Sequence, residues 1–84
     1  MKVSIAVITS QYKDGFVDVL TKPFTTFEKA AKHLTDRYHE EKKNLSEIVA
    51  DEVKEVEGGN YDSFFLMTEN NEWVRGEIYT QTID

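Results

Sequence analysis

The start of the chain alternates between apolar and polar positions in two short runs. Residues 3–8 form a β-prone run with one strongly apolar face. Asp14-Gly15 follows as a turn signal, because glycine accepts the positive φ of tight hairpin turns. Residues 16–21 resume the β pattern shortly before Pro23, which cannot donate to a strand ladder. The pattern predicts an antiparallel hairpin whose second strand ends at Pro23 or lies at a sheet edge.

The next segment has the spacing of an amphipathic helix. Thr25 stands three residues before Glu28, the capping-box arrangement in which each side chain satisfies a backbone N–H at a helix start. The apolar residues that follow share one helical face, and charged residues occupy the rest: Phe27, Ala30, Ala31, Leu34 and Tyr38. The pattern predicts a helix that packs on the sheet through this stripe and ends near Lys42-Lys43-Asn44.

A second helical pattern follows at once. Asn44 and Glu47, three residues apart, form another capping pair. The apolar residues after Asn44 keep the helical spacing: Leu45, Ile48, Val49, Val53 and Val56. Gly58-Gly59 then ends the pattern, since glycine readily takes the left-handed conformation that closes a helix. The spacing leaves open whether residues 26–56 form one kinked helix or two.

The rest of the chain predicts a second hairpin, with strands over 61–68 and 73–83 and a polar turn over 69–72. The element order is ββααββ. This order predicts a single α+β domain over residues 1–84, a four-stranded antiparallel sheet with one or two helices packed on one face. The strand order stays open. The predicted core consists of Phe27, Ala31, Leu34, Ile48, Val53, Val3, Ile5, Val7, Phe64 and Leu66.

The last predicted strand has two unlike faces. The face of Val74 and Gly76 is expected to point to the core, which leaves Trp73 and Tyr79 partly outward. Trp and Tyr with Arg75 between them are the residue types that dominate interface hot spots. The alternative is a curled sheet that buries the aromatic rings. Gly76 indicates either a bulge or a close backbone approach.

Composition permits a core without cross-links. The 84 residues are 39% hydrophobic and 12% aromatic, and they contain no cysteine, so neither disulfides nor thiolate metal sites can brace the fold. The apolar run near the N-terminus is shorter than the roughly 7–15 residues of a signal-peptide core, and no window approaches the roughly 18 of a membrane span. These features predict a cytoplasmic protein without membrane contact.

Charge divides the chain into two unlike halves. Residues 1–43 carry eight Lys/Arg against six Asp/Glu, whereas residues 44–84 carry two against ten. On the predicted second helix, Glu47, Asp51 and Glu55 form a row of carboxylates about 6 Å apart, close to the phosphate spacing of a nucleic-acid strand. The row predicts a protein partner with a basic surface, one that handles nucleic acid. The alternative is an ordinary solvated helix face.

The residues give little support to metal binding, catalysis or direct contact with nucleic acid. His33 and His39 would project about 120° apart on a helix, so they cannot share a metal ion. The serines lack a glycine-flanked elbow, and no glycine-rich loop precedes a helix. A net charge of −6 opposes direct contact with nucleic acid. We therefore predict a protein that is not an enzyme and has no cofactor, metal or nucleic-acid ligand.

A β-hairpin followed by FTTFEKAAKHL, residues 24–34, resembles the opening of many small proteins from phages and other mobile elements. The resemblance implies an accessory protein, in a class where compact acidic inhibitors are frequent. We predict a non-enzymatic module, an inhibitor or regulator that docks an acidic face on a basic partner protein. The alternative is a homodimeric structural or regulatory protein whose acidity serves solubility. The predicted partner-binding residues are Glu47, Asp51, Glu52, Glu55, Trp73, Arg75 and Tyr79.

Overall fold

A computed structural model describes residues 1–83 of the chain. Within that range the chain forms five β-strands and one α-helix, and every strand pairing is antiparallel. The elements are β1 (Lys2–Gln11), β2 (Val17–Phe24), α1 (Phe27–Asn44), β3 (Ile48–Glu55), β4 (Tyr61–Thr68) and β5 (Trp73–Thr82). A 3₁₀ turn at Glu57–Gly59 connects β3 to β4.

The strands form one sheet in the order β2-β1-β5-β4-β3. β5 lies in the middle and pairs with β1 along its whole length, from Lys2↔Thr82 to Gln11↔Trp73. Its other side pairs with β4, so β2 and β3 are the two edge strands. Hydrogen bonds of 3.0 and 2.7 Å between the backbones of Met1 and Ile83 extend the central pairing.

The predicted second helix is wrong, and with it the four-stranded ββααββ arrangement. α1 ends at Asn44, Leu45 is extended (φ −85°, ψ 138°), and residues 48–55 pair with β4 as β3. Four of the five apolar residues that suggested the helix are β-branched, a side-chain type that favours strands. Hydrogen bonding to β4 satisfies the inner side of this segment's backbone, and this pairing outweighs its helical spacing. Residues 26–56 are therefore neither one kinked helix nor two.

α1 starts close to the predicted residue but uses a different cap. Thr26 has an extended backbone, and its Oγ1 accepts a hydrogen bond of 3.2 Å from the Lys29 backbone N–H. The capping box predicted for Thr25 and Glu28 is thus displaced by one residue. Lys29, which has no side-chain acceptor, stands where the box needs a glutamate. The predicted end near Asn44 is confirmed.

The first hairpin and its turn form as predicted. The Tyr12 N–H bonds to the Phe16 carbonyl at 2.9 Å, and the Asp14 carboxylate accepts from the Phe16 N–H at 2.9 Å. Gly15 has a φ of 87°, the left-handed conformation that the turn requires. β2 is an edge strand that contains Pro23, in agreement with the prediction for this residue.

The core lies between α1 and one face of the sheet. Its central members are Ala6, Ile8, Leu34, Tyr38, Phe64, Leu66 and Val74. β1 presents the opposite face from the one predicted, because Val3, Ile5 and Val7 lie on the far side of the sheet while smaller residues, Ser4 and Ala6, lie beneath the helix. Four predicted core residues are buried: Ala31, Leu34, Phe64 and Leu66. Three others lie outside the fully buried set: Phe27, Ile48 and Val53.

Gly76 lies against the ring of Phe64 on the neighbouring strand. The register runs through Gly76 without a bulge, since it pairs with Phe64 on β4 and with Ile8 on β1. A Cβ at this position would overlap the Phe64 ring. Of the two alternatives for Gly76, the close approach is confirmed and the bulge is wrong.

Replacing Leu34 with alanine tests the core. Leu34 is fully buried, so we expect Leu34→Ala to lower the free energy of unfolding by about 2–5 kcal/mol through lost burial and a residual cavity. Val53→Ala is the control at a position that is 44% exposed, and it should cost less than about 1 kcal/mol. Urea denaturation measures both values. Equal losses would contradict the burial of Leu34.

Gly76→Ala tests the contact with Phe64. We expect a loss of about 1–3 kcal/mol, because the new methyl group overlaps a buried ring that has little room to move. Phe64→Leu also lowers stability, but the double variant should lose less than the sum of the two single losses by about 0.5 kcal/mol or more. Additive losses in urea denaturation would show that the two residues do not compete for the same space.

Candidate protein-binding surfaces

The face of the sheet opposite α1 carries four of the predicted partner-binding residues, three of them on β5 and Glu52 on β3. Trp73, Arg75 and Tyr79 lie there, whereas Val74 and Gly76 are buried beneath the helix, as the alternation of β5 predicted. No helix or strand of residues 1–83 covers this face, which we call the open face. The sheet does not curl over the aromatic rings, and Tyr79 is 55% exposed.

Arg75 organises an aromatic cluster on the open face. Its guanidinium carbon lies 5.7 Å from the ring centroids of Phe65 and Trp73, which are 6.3 Å from each other. A cation over an aromatic face is attracted by the ring quadrupole. Arg75 Nε also lies 3.9 Å from the Glu77 carboxylate. The Tyr79 hydroxyl donates to the same carboxylate, and this hydrogen bond raises the pKa of Tyr79.

The other half of the open face is apolar and was not among the predicted binding surfaces. β1 contributes Val3, Ile5 and Val7, and β2 contributes Val17 and Val19, which are about half exposed. Apolar residues on both sides of β1 were the available signal. The prediction placed the side of β1 with the larger side chains in the core, although the helix packs on the side with the smaller side chains.

The predicted row of carboxylates on a helix does not exist. Because residues 48–55 form a strand, successive side chains alternate, with Asp51 on the helix side and Glu52 on the open face. Glu55 follows an irregularity in the β3–β4 register. Glu47 precedes β3 with a φ of 59°, and its carbonyl accepts a 3.1 Å hydrogen bond from the Glu69 N–H. The carboxylates therefore follow an edge strand instead of imitating phosphate spacing.

Asp51 ties α1 to β3. Its Oδ1 accepts from the Tyr38 hydroxyl at 2.6 Å, and its Oδ2 lies 2.8 Å from Lys42 Nζ. Lys42 Nζ also donates to the Tyr38 hydroxyl at 3.3 Å. The hydrogen bonds from Lys42 and Tyr38 lower the pKa of Asp51, while burial and the bond to Asp51 raise the pKa of Tyr38. The charge of Asp51 is thus already compensated within the fold.

β3 is an exposed edge that borders a groove. Val49 and Val53 are 55% and 44% exposed. A groove of about 620 Å³ separates the start of α1 from the connection between β3 and β4. Its apolar lining includes Phe27, Ala31 and Val56. Apolar side chains from another molecule could enter here beside the strand.

The two histidines pack against aromatic rings at the margin of the core. The His33 ring centroid lies 5.2 Å from that of Phe24, and burial lowers the pKa of His33. His39 is exposed, with its ring centroid 5.2 Å from that of Tyr38. In the described range 1–83, no three His, Asp or Glu side chains come close enough together to hold a metal ion.

The contacts of Asp51 predict a dependence of stability on pH. Because its pKa is lower in the folded chain, Asp51 stabilises the fold above its ordinary pKa of about 3.9, and this contribution is lost as the pH falls through the folded value. The bond to Asp51 raises the pKa of Lys42, so the contribution of Lys42 is lost only as the pH rises through that raised value. We expect Asp51→Asn to lower the unfolding free energy by about 1 kcal/mol near pH 7, since the side chain is partly exposed, and to change it little near pH 2.

Asp36→Asn is the matched control for Asp51→Asn. Asp36 lies 3.1 Å from Lys32 on α1, and both side chains are exposed, so this pair should contribute little. Urea denaturation near both pH values compares the two variants with the wild type. Equal losses in both variants at each pH would show that the contacts of Asp51 stabilise the fold no more than a solvated pair does.

No family model matches the chain, and no curated protein or solved structure shows significant similarity to it. The resemblance of residues 24–34 to phage proteins therefore stays a prediction. In the part of the chain that the structure describes, no helix combines the length and apolar character needed to cross a membrane. The open face and the outer edge of β3 are uncovered surfaces of the sheet that a partner can contact through apolar side chains.

Proposed function

We propose that this protein is a non-enzymatic binding module that accepts an extended, basic segment of a partner protein along the outer edge of β3. The supporting observation is an exposed edge strand with acidic side chains on and around it. In this mode the partner adds one strand to the sheet. Backbone hydrogen bonds supply affinity, and the flanking side chains select the sequence.

β3 has a regular stretch that another strand can extend. Its register with β4 runs without interruption from Ala50 to Lys54 and is irregular at each end. Within residues 1–83 the outer N–H and C=O groups of this stretch have no strand partner. An added strand would lie about 4.8 Å away and satisfy them. The irregular ends limit the pairing to a short segment.

The opposite edge of the sheet is less suited to strand addition. β2 contains Pro23, a residue type that protects natural edge strands from pairing. Pro23 also has no N–H to offer to a neighbouring strand. β3 contains no proline, so every residue of its regular stretch has a backbone N–H. Of the two edges, β3 is therefore the better acceptor.

The charge of the β3 edge favours a basic partner. Glu52 and Glu55 are exposed, and neither takes part in an ion pair with another residue of 1–83. Glu47 and Glu57 flank the strand, and Lys54 is its one basic residue. Lysine and arginine side chains of an added strand would meet these carboxylates, and long-range attraction would speed association.

The partner class follows from the chemistry of such a segment. Basic segments commonly contact phosphates, so a protein that handles nucleic acid is the partner that we propose. Occupation of its basic segment by β3 would compete with nucleic acid, which is the action of an inhibitor or regulator. The apolar groove beside β3, lined by Phe27 and Val56, would take an apolar side chain of the same segment.

A peptide titration tests the proposal. Two peptides of equal length are compared, one alternating Lys with Val and one alternating Glu with Val. We expect the basic peptide to bind, and its affinity to fall as salt is added. Amide hydrogen exchange should show new protection over residues 50–54 in the complex. The fluorescence of Trp73 should stay unchanged, because Trp73 lies on β5, two strands away from β3.

Charge-reversed variants provide the control. Glu52→Lys with Glu55→Lys reverses the edge, and Asp36→Lys with Glu40→Lys makes the same change in net charge on the exposed side of α1. The edge variant should bind the basic peptide at least about tenfold more weakly than the α1 variant. Circular dichroism confirms that both variants are folded. The proposal would be overturned if the wild type, the edge variant and the α1 variant bound the basic peptide with equal affinity and residues 50–54 gained no protection from amide hydrogen exchange.

A further inference from the structure

The open face is a second surface, centred two strands away from β3. We infer that it is the interface of a symmetric homodimer in which two copies of this chain stack their sheets face to face. The inference goes beyond the proposed function, because the outer edge of β3 lies at the rim of the face and keeps its backbone accessible. It rests on the exposed apolar surface, the size of the face, and the order of residues along β5.

The open face exposes enough apolar surface to favour burial against another molecule. One half presents valines and isoleucine from β1 and β2, with Val19 54% exposed, and the other half presents the aromatic cluster around Arg75. Contiguous apolar surface of this kind on a soluble domain commonly belongs to an interface. Stacked sheets bury such faces against each other about 10 Å apart.

The open face is large enough for a stable dimer. The Cα atoms span 43 × 27 × 15 Å, so the molecule is a slab one helix and one sheet thick. An ellipse with the two longer extents of the molecule, about 900 Å², is an upper bound on the flat area of the face, and a standard interface buries about 800 Å² on each partner. Most of one face therefore suffices, without any contribution from α1.

The order of side chains on β5 is complementary to itself. On the open face β5 presents Trp73, Arg75, Glu77 and Tyr79, an aromatic residue at each end and opposite charges between them. Consider a two-fold axis that lies in the plane of the interface, runs perpendicular to the strands and crosses β5 at Gly76. This axis puts Arg75 opposite the partner's Glu77. The same axis puts Trp73 opposite the partner's Tyr79. Both pairings occur twice, as a two-fold interface requires.

The position of β5 makes this pairing central. β5 is the third strand in the order of the sheet, so the axis crosses the middle of the open face. Stacked sheets are rotated relative to each other, and this rotation displaces residues least at the middle of the face. The register places Glu52, Lys54, Arg75 and Glu77 on the open face, two of each sign, and Lys54 also lies 4.0 Å from the Asp62 carboxylate. A second copy therefore meets no net repulsion on this face, although the whole chain carries −6. A strongly basic partner would find no excess of negative charge there.

Charge exchange on β5 tests the inference by sedimentation at about 10–100 μM, a range in which interfaces of this size commonly associate. The wild type should be a dimer. Arg75→Glu and Glu77→Arg each put like charges across the axis, so each should weaken dimerisation at least about tenfold. The double variant Arg75→Glu/Glu77→Arg restores opposite charges across the axis and should dimerise more tightly than either single variant, although it loses the contact of Arg75 with the aromatic rings.

Mixing the two single variants gives a further result that a nonspecific contact would not produce. Each chain then supplies the charge that the other lacks, so a heterodimer should form although neither variant dimerises well alone. Circular dichroism checks that all variants are folded. A wild type that stays monomeric over the whole range of protein concentration would overturn the inference. Dimerisation that is weakened to the same extent in the two single variants and in the double variant would also overturn it. Neither outcome affects the peptide titration at β3, so the two proposals fail independently.

Discussion

A helix can cover only part of one face of a five-stranded sheet, and this limit shapes the rest of the molecule. Five strands span about 19 Å across the sheet, nearly twice the width of a helix. α1 therefore packs on the middle strands, where Ala6 and Gly76 leave room for Phe64 and the helix. β3 lies beyond this contact and is joined to α1 through the polar bridge from Asp51 to Tyr38 and Lys42. The opposite face remains open.

Elements with specific local signals could be predicted from the sequence, and elements decided by distant pairing could not. Asp14-Gly15 specifies its turn, and the alternation along β5 identifies its outward side chains, so the outward position of Trp73 and Tyr79 was predicted correctly, while their role in binding stays a prediction. Residues 48–55 have both a helical spacing and β-branched side chains, and pairing with β4 decides between them. The predicted row of carboxylates required this segment to be a helix, so the row does not form in the strand. The core face of β1 was missed because closeness to the helix favours small residues over large ones.

The uneven charge of the sequence has a spatial counterpart. The acidic second half of the chain supplies β3, β4 and β5, yet on the open face these strands present Lys54 and Arg75 beside Glu52 and Glu77. The excess negative charge therefore lies along the β3 edge and in the connections. In the inferred dimer, the axis that stacks β5 on the partner's β5 also stacks β3 on the partner's β3. Two acidic edges would then run side by side, available to two basic segments at once.

β5 is the last of the five strands along the chain but occupies the middle of the sheet. Until it is in place, the two hairpins β1–β2 and β3–β4 have no strand to join them. The pairing that unites them links residues as distant as Lys2 and Thr82, and such long-range contacts form slowly because they must first close a long loop. During synthesis each hairpin therefore presents an unpaired inner edge until β5 leaves the ribosome. We expect that interval to be the stage at which the nascent chain is most prone to aggregate.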